Sequence, residues 1–328
     1  MLRVYCETVP FEEVVRARTL GLLRRHDLEL VLAVRPWQSE ALPGVARALR
    51  EAGVGCSVWP MLADEEGRWA SAHNAPSFVR FLRKTVDALD AAGVLPREVL
   101  LDLEPPFAHA RALAARGGSG HRGLDLATTR PGRTPPVPMG VASEELGSAV
   151  RELHVRGVST ACAVWPLVAL DPPEMGGWQA LLGTPVDALR TERVSVMMYT
   201  SILEGWSRGT IRRRDAKLLL GAATARALRR WGKDAGMSIG CVGTGALVDE
   251  PVYRDPSELA EDAALVRAAG CSDLSLFDLG GVLARAPAEA WLDALAHPTE
   301  HLAGRSSRRV YLARKISRFA TWVLGRRG

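Results

Sequence analysis

Eight short apolar, β-rich runs recur along the chain, and most of the intervals between them hold a segment of helical periodicity rich in Ala, Leu, Arg and Glu. The runs lie at roughly 2–7, 28–35, 55–62, 98–104, 159–168, 193–200, 237–244 and 273–280. The helical segments lie at roughly 11–25, 38–52, 76–92, 143–156, 212–233, 256–269 and 287–296. Strand and helix alternating to a count of eight is the pattern of a (β/α)8 barrel. An open doubly wound sheet also alternates, but it places a glycine-rich phosphate loop after its first strand. Here that position reads Glu7-Thr8-Val9-Pro10, without glycine.

The sequence therefore predicts an α/β fold, a TIM barrel over residues 1–297, with an irregular insertion at 107–140 after the fourth strand and a basic C-terminal tail at 298–328. With 328 residues and 47% hydrophobic content, the chain can bury a core of that size. Asp255-Pro256-Ser257-Glu258 ahead of Leu259 reads as a helix start, with proline in the first turn. A weak internal repeat ends the third and fifth strands in Val-Trp-Pro, at Trp59 and Trp165, and the second in Val-Arg-Pro-Trp, at Trp37. Three tryptophans are expected at one rim.

Two regions interrupt the pattern. From Phe107 to Gly140 the chain is rich in Gly, Pro, Arg and Ala, which excludes a continuous helix or strand; following the fourth strand, it is placed either to cover the site as a lid or to stand as a surface insertion. The tail carries Arg305, Arg308, Arg309, Arg314, Lys315, Arg318, Arg326 and Arg327, with Val310, Leu312, Ile316, Phe319, Ala320 and Val323 as an apolar helical stripe. Such a helix either packs back on the barrel, which the additional apolar Trp322 and Leu324 favour, or makes membrane-surface contact through 305–328. The net charge of +5 belongs largely to this tail and says little about the ligand of the body; without interleaved aromatics of a recognisable module, nucleic-acid binding is not predicted.

Met1-Leu-Arg-Val-Tyr-Cys6 leads straight into a strand without the pattern of a secretory signal, and no apolar run reaches the ~18 residues of a membrane span, so a soluble cytoplasmic protein is expected. Cys6, Cys56, Cys162, Cys241 and Cys271 are odd in number and widely spaced within or beside apolar runs, which reads as buried free thiols. The seven histidines show no metal spacing, so neither a metal nor another cofactor is expected.

In barrels of this class the active site lies at the carboxyl ends of the strands. Glu98-Val-Leu-Leu-Asp-Leu-Glu-Pro-Pro106 ends in Asp102 and Glu104, two carboxylates one residue apart that share a face of an extended strand. Reading the other ends adds Glu7, Arg35 with Trp37, Trp59, Trp165, Tyr199 and Asp278 as candidate binding residues. Indole rings stack on the C–H faces of sugars, while carboxylates and guanidinium groups take up their hydroxyls. Glycosidic cleavage needs a proton donor to the leaving oxygen, a part for Glu104, whose proton affinity the neighbouring Asp102 would raise. A purely structural reading instead caps a loop or pairs one carboxylate with Arg35. A second carboxylate across the mouth, Asp278 or Glu7, would decide between covalent and direct attack. The glycine-rich turns 240–245 and 278–281 offer a phosphate reading, although glycines at barrel turns more often serve geometry.

Leu-Leu-Asp-Leu-Glu on the fourth strand and Val-Met-Met-Tyr on the sixth resemble the signature strands of family 18 glycoside hydrolases, the chitinase-like barrels. The resemblance implies that Glu104 is the acid, that Asp102 assists it, and that Tyr199 helps to hold the N-acetyl group of an amino sugar. The chain departs from the family pattern where Thr200 replaces an aspartate and where Leu100 and Arg97 replace the earlier acids of the fourth strand. Family 25 lysozyme-like barrels share the Asp-x-Glu of that strand. Two expectations follow: a glycosidase-like enzyme acting on an amino-sugar-containing or related glycan, with Glu104, Asp102 and Tyr199 catalytic, or a non-catalytic barrel that binds a glycan or serves as a scaffold at a membrane surface.

Overall fold

The eight runs form strands β1 (Leu2–Cys6), β2 (Glu29–Val34), β3 (Cys56–Pro60), β4 (Glu98–Leu103), β5 (Ser159–Val164), β6 (Arg193–Met197), β7 (Ala235–Gly240) and β8 (Asp273–Phe277). Each pairs in parallel with the next, and β8 pairs with β1, closing the barrel. The computed structural model describes residues 1–115, 138–172, 176–207, 209–246 and 249–298, with Ser307, Val310, Tyr311, Lys315 and Thr321 of the tail. The principal outer helices are Ala17–Arg25, Leu42–Glu51, Ala75–Ala91, Met139–Val155, Arg213–Trp231, Pro256–Ala268 and Ala288–Ala296.

The two-residue period of the strands builds two cores. Leu30, Leu32 and Val34 of β2, Val99, Leu101 and Leu103 of β4, and Cys162 and Val164 of β5 face outward and pack in the shell beneath the helices. Their neighbours Tyr5, Val31, Ala33, Leu100, Ala161 and Ala163 fill the interior. A fully buried aliphatic side chain contributes roughly 1.5–3 kcal/mol, so a register slip that exchanged the two sets would lose both cores.

Inward residues of β4 fall at every second position, which sets Glu98, Leu100, Asp102 and Glu104 along one line through the barrel. Glu98 lies among ion pairs at the amino-terminal end: Arg3 donates to it at 2.9 and 3.3 Å, Arg193 at 2.9 and 2.6 Å, and Ser57 at 3.0 Å. Arg3 also approaches Asp273 at 3.5 Å. Buried charges are tolerable only when paired in this way. Polar contacts fill the amino-terminal mouth, and the cavity lies at the opposite one.

Helix starts follow local chemistry. Asp255 accepts the Ser257 N–H at 2.9 Å, with Pro256 opening the helix. Asp278 does the same for the short helix Leu279–Ala284, accepting the Gly281 N–H at 3.0 Å. The expected strands six and eight are therefore too long: β6 stops at Met197 and Thr200 opens the helix Thr200–Trp206, while β8 stops at Phe277 and Asp278 is a cap.

The expected insertion also begins differently, because Phe107–Ala115 is helical, started by the Pro106 carbonyl, which accepts the N–H groups of His109 at 2.8 Å and Ala110 at 3.1 Å. Met139 and Gly140 already belong to the next helix, and residues 116–137 lie outside the described ones, so the lid reading falls there. Of the tail, Ser307 donates to Asp215 at 2.6 Å, Val310 is buried, and Thr321 accepts the Trp178 indole N–H at 2.8 Å. These residues turn toward the barrel, and the remainder of 305–328 lies outside the description apart from Tyr311 and Lys315. No helix among the described residues is long and apolar enough to cross a membrane.

Candidate active site

A cavity of about 310 Å³ opens at the carboxyl end of the barrel, within the size range of small-ligand sites. Asp102 and Glu104 lie at its edge, one inside β4 and one just past its end. Their carboxyl groups are within hydrogen-bonding reach of each other, a contact made only if one of them carries a proton. Burial, reinforced by the charges of Glu104 and Glu7, holds Asp102 well above the usual carboxylate range. Burial also raises Glu104, to about 7, against the opposing hydrogen bond that Trp165 Nε1 donates to its Oε2 at 2.6 Å. Trp59 directs its buried N–H toward Asp102 without full hydrogen-bond geometry. The pair therefore keeps one proton at neutral pH beside an open cavity.

The walls are aromatic and apolar. Tyr5 meets Trp59 edge-on at 5.2 Å, Tyr199 lies tilted on Phe277 at 5.5 Å, and Trp69, Trp165, Trp206 and Ile202 complete the lining. Tyr199 shares a hydrogen bond with Ser238 at 3.2 Å. Met197 and Met198, the other residues of the sixth-strand motif, line the same space.

Glu7, at the end of β1, is held by Arg68 at 2.6 Å, and Arg68 also binds Asp64 at 2.9 and 3.1 Å. Burial nonetheless moves Glu7 upward, with Arg68 opposing it. Arg68 adopts φ 59°, an uncommon left-handed conformation for a long side chain, and its ring contact with Phe107 at 4.5 Å fixes it beneath the helix that follows Glu104. Glu250, from the loop after β7, supplies a fourth carboxyl group to the lining and accepts the Gly245 N–H at 2.5 Å.

Of the residues expected at the rim, Glu7, Trp59, Asp102, Glu104, Trp165 and Tyr199 meet at this cavity, and three do not. Trp37 is 68% exposed and stacks on Arg35 at 4.9 Å. Arg35 is bound to Asp64, not to either carboxylate of β4. Asp278 is fully buried and engaged as a cap. The glycine-rich turns around it are packed on each other: a Cβ at Gly281 would lie 2.1 Å from Gly243 N, so these glycines serve close approach. Thr200 is buried away from the cavity, donating to Asp262, which also accepts Tyr253 at 2.7 Å and Arg213 at 2.8 Å. Trp69, Trp206, Arg68 and Glu250 also belong to the site but lie outside the strand ends, where the strand pattern gives no sign of them. Among the described residues, no three His, Cys, Asp or Glu side chains converge as they would around a metal ion.

No family model matches the sequence, and no curated protein matches it. Solved structures do. The catalytic domain of a family 18 chitinase from the fern Peteris ryukyuensis superposes with a TM-score of 0.53 at 13% identity, covering 91% of this chain and 99% of that one. A chitinase from Chromobacterium violaceum gives 0.51 at 13%, covering 93% and 99%. The PgaB (BpsB) glycoside hydrolase domain from Bordetella bronchiseptica gives 0.50 at 15%, covering 91% and 99%. What this chain shares with these domains is the closed (β/α)8 barrel. At these identities the likeness speaks to the fold alone.

Proposed function

We propose that this barrel cleaves a glycosidic bond in a carbohydrate, with an amino-sugar-containing glycan as the substrate class. Glu104 is the general acid, Asp102 shares and supplies its proton, and Tyr199 helps to hold the sugar at the reacting carbon. The observation that carries this reading is the buried carboxyl pair at the end of β4, bound by Trp165 and facing an aromatic cavity. A carboxyl group whose proton affinity is raised to about neutral pH suits proton donation to a leaving oxygen, and indole walls suit the apolar face of a pyranose. The resemblance of the fourth and sixth strands to family 18 supports the amino-sugar class.

Attack by the substrate's own acetamido group is not part of this proposal. The position where family 18 holds an aspartate is Thr200, and its hydroxyl is committed to Asp262 and Arg213 outside the cavity. The test is a panel of chromogenic glycosides and cell-wall oligosaccharides presented to wild type and Glu104→Gln. Turnover in wild type and its loss, by 100-fold or more, in a folded Glu104→Gln is expected. Equal rates in the two proteins would refute the assignment. Glycan binding that persists in Glu104→Gln, with no turnover by either protein, would favour the non-catalytic barrel.

A further inference from the structure

We propose that Glu250 is the second catalytic carboxylate of the site, activating the water that attacks the anomeric carbon while Glu104 protonates the leaving oxygen; this rests on the glycosidase reading above.

Elimination among the four carboxyl groups that line the cavity leads to it. Asp102 and Glu104 share a proton and act as one donor. Glu7 is neutralised by Arg68 at 2.6 Å, which suits it to holding a hydroxyl and not to attacking a carbon. Asp278, the other expected partner, is capped and does not line the cavity. Glu250 remains. The groups that act on it are Glu7 from the end of β1, Glu104 from the end of β4 and Asp278 from the end of β8, all acidic, and its one hydrogen bond among the described residues comes from the Gly245 backbone.

That backbone contact is specific. A Cβ at residue 245 would lie 2.5 Å from the Phe277 ring and 2.7 Å from Glu7 Oε2, so only glycine lets the loop settle against the floor of the cavity and present its N–H to Glu250. One carboxyl oxygen is thereby fixed, and the other is free for water. With Thr200 turned away, the cavity offers no aspartate at the family 18 position to orient an internal nucleophile, and a second carboxylate answers that need.

The step balances as a hydrolysis. Glu104 gives its proton to the glycosidic oxygen as the C–O bond breaks, and the bonding pair stays on that oxygen. Water forms the new bond to the anomeric carbon and loses a proton to Glu250. The proton left on Glu250 and the one missing from Glu104 then exchange with solvent. Burial pushes Glu250 up to about 8, against the hydrogen bond from Gly245 and helped by its acidic neighbours, so the group is a stronger base than an ordinary carboxylate. Glu250 must be deprotonated while Glu104 is protonated, so kcat/KM is bell-shaped, with its acidic and alkaline limbs set by these two groups at about 7 and 8.

The experiment compares wild type, Glu250→Gln and Glu104→Gln on one chromogenic glycoside that wild type cleaves, with product stereochemistry followed by proton NMR and folding checked by thermal melting. Expected are inversion at the anomeric carbon, a loss of 100-fold or more in kcat for Glu250→Gln, disappearance of its acidic pH limb, and a melting temperature no lower than wild type. Retention of configuration, or a Glu250→Gln rate within threefold of wild type with the pH limb intact, would overturn the role of Glu250 while leaving Glu104 standing if Glu104→Gln is inactive. Absence of turnover by wild type across the panel would overturn both readings together.

Discussion

Trp165 donates its indole N–H to Glu104 Oε2 at 2.6 Å, and the two residues meet because β4 and β5 pair with Leu103 opposite Val164. The next residue on each strand then projects at the same height, so register delivers the donor to the acid. A hydrogen bond to the charged form lowers a carboxyl pKa, and burial acts the other way.

Replacing Trp165 by Phe keeps the ring contact and deletes the donor. Glu104 should then titrate higher than its present value near 7, by about one to two pH units, as charge-assisted hydrogen bonds are worth about 1.5–3 kcal/mol. Carbon-13 NMR of labelled carboxyl groups reads this directly. No movement of the Glu104 resonance titration would show that the indole does not govern its ionisation.

The two tryptophans beside prolines near the ends of β2 and β3 separate structure from pattern. In Trp59-Pro60 the tryptophan precedes the proline and lies within β3, buried against Tyr5. In Pro36-Trp37 the proline comes first and opens a 3-10 turn, which carries Trp37 out to solvent on Arg35. Trp37→Ala should leave kcat/KM within twofold of wild type, and Trp59→Ala should lower it tenfold or more on the same glycoside. Equal losses in both would place Trp37 at the substrate after all.

The same contrast marks how much was legible in the chain. Strand and helix periods, the cap at Asp255 and the inward phase of Asp102 and Glu104 are local, and they appear in the structure as the spacing predicts. Glu250, Trp69 and Trp206 lie in loops or on a helix after β6, where no period announces them; only closure of the barrel brings them to the carboxyl pair. Apolar runs do not show where a helix start takes over, so the sequence pattern extends the sixth and eighth strands across Thr200 and Asp278, which open helices instead. Arg35 and Arg68 illustrate a further gap: both converge on Asp64, a residue with no distinguishing neighbours in the sequence.

The opposite mouth of the barrel carries a prediction of its own. Glu98 is the shared partner of Arg3 and Arg193, and Arg3 is 2% exposed. Glu98→Ala would leave the buried guanidinium with Asp273 at 3.5 Å and the Met1 sulfur at 3.2 Å, and removal of one partner from a buried pair costs about 3–5 kcal/mol. Urea denaturation should show that loss, with the cavity far enough away that substrate KM is unchanged in the folded fraction. A loss below about 1 kcal/mol would mean water replaces the carboxylate readily.

The carboxyl groups at the cavity end give stability an unusual slope with pH. Glu104 titrates near 7, Glu250 near 8 and Asp278 near 6, all raised chiefly by burial above the values near 4 of an unfolded chain. Because the folded state holds these protons more tightly, each group contributes stability that is complete below about pH 4 and is lost as pH rises through its folded value. Stability should therefore fall between about pH 4 and pH 8 and level off by pH 9, and by more than the change seen when Glu104 or Glu250 is replaced by Gln. Each replacement should recover about 2 kcal/mol at pH 9, allowing for the partial exposure of both side chains, and little at pH 5. Urea midpoints across this pH range measure this, and a midpoint that rises from pH 6 to pH 9 in wild type would contradict the buried, protonated state of the site.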